Sequence, residues 1–107
     1  MDLWISDISH LHFAKDISSC IDQSAKVRGT GIARRSAEYI AEKIKNGNSI
    51  IALENNEFAG FCYIEKWEHG KYVAHSGLIV KPKFRGQGLA KKIKKKIFKL
   101  SKKKCPG

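Results

Sequence analysis

The sequence predicts an α/β (α+β) domain: a mainly antiparallel sheet flanked by helices, in the order β-α-α-β-β-β-α. Three observations carry this. Three apolar stretches near the middle of the chain are separated only by short polar turns, as in strands joined by hairpins. Three other segments repeat their apolar residues at helical spacing. Glycine and asparagine clusters mark the joints between them.

Each element can be justified in order. Leu3-Trp4-Ile5 reads as a short first strand. Asp7 is a suitable cap for a first helix, with Ile8, Leu11, Ala14, Ile17 and Ile21 on one face. Residues 27–35, VRGTGIARR, interrupt that pattern with two glycines and three arginines. Ser36 then caps a second helix, whose apolar face is Ala37, Ile40, Ala41 and Ile44, and Asn46-Gly47-Asn48 ends it. Ser49–Leu53 is a strand, Glu54–Glu57 a hairpin turn, and Phe58–Trp67 the next strand. Glu68–Lys71 is a second turn leading into the strand Tyr72–Val80. From Gln87 onward, Leu89, Ala90, Ile93, Ile97 and Leu100 form the buried stripe of a last helix whose other positions are almost all lysine. Neither an internal repeat nor a linker divides the chain, so residues 1–107 read as a single domain, although a partial one for the reason given below.

Composition narrows the function classes. At 107 residues and 42% hydrophobic content the chain is long enough to bury a core. Asp2 and Asp7 at the start, with no apolar run after them, argue against a secretory signal. A membrane span would need roughly 18 consecutive apolar residues, and the sequence offers none. A cytoplasmic protein is expected. Cys20, Cys62 and Cys105 are odd in number and far apart, so neither a disulfide framework nor a metal site is expected.

The net charge of +11 is unevenly spread. Residues 1–68 hold eight Lys/Arg and all ten Asp/Glu, whereas residues 69–107 hold thirteen Lys/Arg and no acid. A half-chain this basic suits an anionic partner such as phosphate, nucleic acid or a membrane surface.

The joint VKPKFRGQGLA, residues 80–90, concentrates the features a phosphate needs. A helix N-terminus offers unpaired N–H groups and the positive end of the macrodipole. Glycines before it let the backbone approach the anion without an intervening Cβ. A P-loop is excluded because neither glycine leads into GK[ST], and a dinucleotide GxGxxG fails because Lys91 stands where its third glycine would be.

The pattern that does fit is [Q/R]xxGx[G/A], met by Arg85, Gly88 and Ala90 after an apolar strand ending VxP. In this placement it resembles the coenzyme A-binding motif of the GNAT superfamily of acetyl-CoA-dependent N-acetyltransferases. The likeness runs from the first strand through the last helix. It implies a GNAT-like acyl-CoA N-acyltransferase fold and acetyl transfer from acetyl-CoA, the co-substrate, to a primary amine. Through the resemblance, the amides of Arg85, Gly86, Gln87, Gly88, Leu89 and Ala90 would hold the pyrophosphate. The main chain of Leu78, Ile79 and Val80 would pair with the pantetheine arm, and Lys91 and Lys92 would meet the remaining phosphate charge.

For the general base the strand before the motif offers His75, whose intrinsic pKa suits proton transfer, and Glu65 on the preceding strand is a second candidate. His10, His12 and His69 read as surface residues of a helix or turn. In the GNAT layout the connection between the first two helices borders the acceptor pocket. Here that connection carries Arg28, Arg34 and Arg35, and arginine forks suit carboxylates, so an acidic amino acid is the expected acceptor. The segments KVRGTGIARRSAEYI and FAGFCYIE also resemble GNAT proteins described as N-acetylglutamate synthase-like.

One departure stands against the resemblance. A GNAT fold continues beyond its third helix with further strands and a fourth helix, and these C-terminal elements are missing before Gly107. The expectation is a truncated domain of impaired activity, open to homo-oligomerisation through its exposed strand edge. The alternative reading is a non-catalytic basic module binding nucleic acid or a protein partner. No nucleic-acid-binding signature is present, so specific nucleic-acid or membrane binding is not expected.

Overall fold

The structure, a computed structural model, describes residues 1–28, 36–66 and 72–104, with side chains for 1–23, 36–64 and 78–103. Among the described residues four strands form one antiparallel sheet in the order β1-β2-β3-β4: β1 is Asp2–Ile5, β2 Ser49–Glu54, β3 Glu57–Lys66 and β4 Tyr72–Val80. Three α-helices accompany them there, α1 (Ala14–Arg28), α2 (Ala37–Lys45) and α3 (Leu89–Lys104). The observed order is the one the sequence predicts.

Alternation along the strands divides the core into two layers. Ile51, Phe61, Tyr63 and Ile79 face α1 and α2, where they meet Ile17, Ile21, Ile40 and Ile44. Ile50, Ala52, Cys62 and Ile64 face the other way, against Ile93, Ile97 and Leu100 of α3. Side chains two apart on a strand share a face, so one sheet supports helices on both sides.

The chain enters α1 differently from the sequence expectation. Asp7 is an N-cap, but of a 3-10 helix, Ile8–Phe13, that precedes α1. The tighter winding leaves Ile8 66% exposed instead of on the buried face. It also overturns the placement of His10 as a surface residue: His10 is buried, and its Nδ1 accepts the Asp7 backbone N–H at 3.1 Å. Asp7 Oδ1 accepts in turn from the Ser9 hydroxyl at 2.5 Å and from the Ser9 N–H at 2.8 Å, and these two bonds, the hydroxyl's foremost, hold the Asp7 carboxyl below its usual range.

The second helix begins and ends as its sequence indicates. Ser36 Oγ accepts the Tyr39 N–H at 3.1 Å, and the amides of Gly47 and Asn48 bond back to Ile44 and Lys43, a Schellman ending. Lys43 fastens α2 to the sheet. Its Nζ donates to the Ile64 carbonyl at 2.8 Å and lies over the rings of Tyr39 and Tyr63. Beneath α2, Ser6 and Ser49 form a buried hydroxyl pair.

The β2–β3 hairpin turns on Asn55 and Asn56, both with positive φ (49° and 64°), as a two-residue type I′ turn demands. The strands β3 and β4 slip register twice. Gly77 and Leu78 together oppose Cys62, and Ala74 and His75 together oppose Ile64, so β4 carries two bulges. β4 is also one of the two edge strands of the described sheet, β1 being the other.

Candidate anion-binding site

The site is built where β4 ends. The Lys81 N–H turns inward to the Ala59 carbonyl at 2.8 Å, which leaves the peptide groups of Val80 directed to the open edge of the sheet. Pro82–Phe84 then makes one turn of 3-10 helix, closed by the Phe84 N–H on Lys81 O (2.9 Å). Phe84 is buried among Leu89, Ile93 and the α3-side residues of the sheet, and anchors the loop. Arg85 reaches back, its Nε donating to the Val80 carbonyl at 3.1 Å.

A second clamp comes from the neighbouring hairpin. Glu57 accepts from Lys83 Nζ at 2.7 Å and from Lys81 Nζ at 3.2 Å. Lys83 foremost, and Lys81 with it, hold the Glu57 carboxyl below the usual glutamate range. The Lys81 ammonium also lies 4.4 Å from the Phe58 ring centre, which fixes the start of the loop on β3. Cys20 of α1 lies within the field of Lys81; burial pushes its thiol up, and the lysine offsets this only in part.

After Arg85 the backbone becomes left-handed at two positions, Gly86 (φ +82°) and Gly88 (φ +75°). Only glycine adopts such angles without strain. Among the described residues, the immediate chain neighbours apart, nothing lies within 4 Å of where a Cβ would stand at either residue, so the space above both is open. Gly88 O accepts the Lys92 N–H at 3.3 Å, starting α3, and the amides before Lys92 belong to the unpaired first turn. The first turn of α3 holds no acid. A cleft of about 240 Å³ lies here, lined by Val80, Phe84, both glycines, Leu89 and Lys91 among others. Amides at a helix N-terminus, an absent Cβ and nearby cations together make an anion-binding concavity. A larger depression, about 610 Å³, runs past Trp4, Asp7 and His10 at the opposite edge strand, but it lacks these features.

The close seating of α3 positions this turn. A Cβ at Gly60 of β3 would meet Ile93 Cδ1 at 2.6 Å and the Ile79 carbonyl oxygen at 3.2 Å. Sequence reasoning did not single out Gly60, although a lone glycine inside an apolar strand is the signal for such an approach. It also missed the bulges and the pairing of Glu57 with the loop lysines.

The structure thus brings Val80, Arg85, Gly86, Gly88, Leu89, Ala90 and Lys91 together around one cleft, with Leu78 and Ile79 leading into it along β4. His75 lies in the β4 bulge opposite Ile64, and Glu65 pairs with Val73 across β3 and β4. The side chains of both, like that of Arg28 at the end of α1, lie outside the described ones, and Arg34 and Arg35 lie outside the described residues.

Comparison with known proteins agrees with this architecture. The chain is similar in structure to an N-acetylglutamate synthase from Neisseria gonorrhoeae solved with coenzyme A and N-acetyl-glutamate, with a TM-score of 0.71 and 15% identity over 97% of this chain and 23% of that one. It is similar to a Mycobacterium tuberculosis protein, Rv2747, solved with CoA (TM-score 0.68, 11% identity, 97% of this chain and 59% of that one). A ribosomal-protein-alanine N-acetyltransferase from Brucella melitensis shares the fold at a TM-score of 0.57 and 17% identity, over 96% of this chain and 71% of that one. The chain therefore spans about a quarter and about three fifths of the first two structures. Compared by sequence with curated proteins, it has no significant match. The sequence profile of the acetyltransferase (GNAT) family matches residues 21–106, and the chain belongs to that family.

Proposed function

We propose that this chain binds acetyl-CoA at the glycine turn and serves transfer of its acetyl group to a primary amine, with an acidic amino acid such as glutamate as the acceptor. The observation that carries the reading is the pair of left-handed, unobstructed glycines directly before the N-terminus of α3. Family membership supports acetyl transfer, and two similar structures were solved with coenzyme A. The glutamate reading draws on the arginine-rich segment 28–35 and on the N-acetylglutamate synthase among the similar structures.

In this mechanism the amides of Arg85 to Ala90 hold the pyrophosphate, with Lys91 and Lys92 beside it. The outward peptide groups at the end of β4 pair with the amides of the pantetheine arm, as an added strand would. Arg85 now occupies the Val80 carbonyl, so pairing at that oxygen requires its guanidinium to swing aside or share the acceptor. The neutral amine attacks the thioester carbonyl, the C–N bond forms, and the C–S bond breaks to leave a thiolate. His75 or Glu65 takes the proton the amine gives up, directly or through water. The β4 bulges reorient the strand beside these candidates, where peptide N–H groups would stabilise the developing oxyanion. Arg28, Arg34 and Arg35 fork onto the acceptor carboxylates.

The test is acetyl-CoA consumption with a panel of amines, comparing the chain with its R28A/R34A/R35A variant. The expected result is preference for glutamate over cationic amines, lost in the variant. An unchanged acceptor preference removes the acidic-acceptor reading and leaves the cofactor site to be judged by its own binding measurement.

A further inference from the structure

The outer face of α3 is far more basic than a cofactor requires. The helix runs LAKKIKKKIFKLSKKK, with nine lysines and no acid. Leu89, Ile93, Ile97 and Leu100 are buried against the sheet, and this fixes which side meets water. At 100° per residue the opposite ridge is Lys91, Lys95, Phe98 and Lys102, flanked by Lys94 and Lys99. All five of these lysines are exposed. Among the described residues no carboxylate lies within salt-bridge distance of them; Glu57 pairs instead with Lys81 and Lys83 on the loop.

We infer that this ridge is a docking surface for nucleic acid, bound through its phosphates without sequence preference. The inference does not depend on the proposed acetyl transfer. Sixteen residues at 1.5 Å each make a rod about 24 Å long, carrying roughly one positive charge per 3 Å. Such a rigid array complements a polyphosphate, whose duplex form carries one negative charge per about 1.7 Å of axis. Protein interfaces, by contrast, are depleted in lysine and need apolar anchors in pockets. A membrane surface is also less suited, because the apolar stripe of α3 is committed to the core and the ridge offers one half-exposed aromatic, Phe98. A face of lysines carries no forked donors that would read base edges, so the binding lacks sequence preference.

Lys91 borders the glycine cleft, whereas Lys95, Lys99 and Lys102 lie one to more than three turns farther along α3. The second group can be changed without touching the cofactor site. The experiment is fluorescence anisotropy with labelled 20-nucleotide strands and duplexes of several unrelated sequences, at 50 and 200 mM salt. Competition with phosphatidylserine vesicles and titration with CoA complete it. With about five phosphates engaged, affinity should fall roughly 10²- to 10³-fold across that salt range and differ little between sequences. K95E/K99E/K102E and its neutral counterpart K95Q/K99Q/K102Q, both checked for helical circular dichroism, should each lose at least about 30-fold at 50 mM salt, with CoA affinity unchanged. Nucleic-acid affinity equal to wild type in a folded triple variant overturns the inference. So does a flat salt dependence, or binding to vesicles that nucleic acid cannot displace.

Discussion

Gly60 of β3 and Ile93 of α3 pack so closely that a Cβ at Gly60 would stand 2.6 Å from Ile93 Cδ1 and 3.2 Å from the Ile79 carbonyl oxygen, so an added carbon would force the end of the Ile93 side chain to turn aside. The missing side chain lets α3 lie close to the sheet at this point, beside the first turn whose amides stand near the end of β4. Gly60→Val should destabilise the fold by about 1–3 kcal/mol, in line with overpacked cores. At this size each kcal/mol lowers Tm by roughly 4–8 °C. CoA affinity should fall with it, because the first turn of α3 is displaced. Gly60→Ala should show both effects more weakly. Thermal melts and CoA titration on the same samples check the pair, and a Gly60→Val protein melting like wild type would mean that α3 is not seated by this contact.

Arg85 supplies the second prediction. Its Nε bond to the Val80 carbonyl joins the turn to the strand edge. The bond is exposed, and water replaces it on removal, so Arg85→Ala should change stability by less than about 1 kcal/mol. Its effect on CoA should be larger, about tenfold weaker, because a cation and the loop's tether are lost together. Arg85→Lys restores the charge without the planar fork and should recover only part of the loss. Equal CoA affinity in wild type and both variants would remove Arg85 from the site.

Much of the fold was legible because local chemistry and tertiary packing agree. Ser36 caps α2, Asn46-Gly47-Asn48 ends it, and Ile93, Ile97 and Leu100 are buried as their spacing requires. The 3-10 helix was not legible. Ile8, Leu11 and Ala14 recur every third residue, a spacing that serves both 3.0 and 3.6 residues per turn. The glycine turn was legible, since left-handed backbone demands glycine and the motif displays two. The β4 bulges were not, because register emerges from pairing with β3 and leaves no local signature. The Glu57 clamp joins residues 24 and 26 positions apart, beyond any pattern read along the chain.

That clamp gives a pH dependence. Lys83 and Lys81 lower the folded pKa of Glu57, so its contribution to stability is present above the ordinary glutamate value of about 4.3. The contribution is lost as pH falls below that value and through the lowered folded pKa. Wild type should therefore melt above Glu57→Gln at neutral pH, and the two curves should converge on acidification from pH 5 to 3. A difference in Tm that is constant with pH, or grows in acid, would contradict the clamp.

The most direct test of the account is isothermal titration of CoA into wild type, Gly88→Ala and Gly88→Glu. Both substitutions impose the same left-handed strain, about 1–2 kcal/mol, and among the described residues, the chain neighbours apart, nothing lies within 4 Å of the added Cβ. They differ in what they place over the helix N-terminus. The account predicts that Gly88→Ala binds CoA measurably, though more weakly than wild type, while Gly88→Glu, setting a carboxylate where the pyrophosphate belongs, loses at least a further tenfold, about 1.4 kcal/mol. Equal CoA affinity in wild type and Gly88→Glu would contradict it.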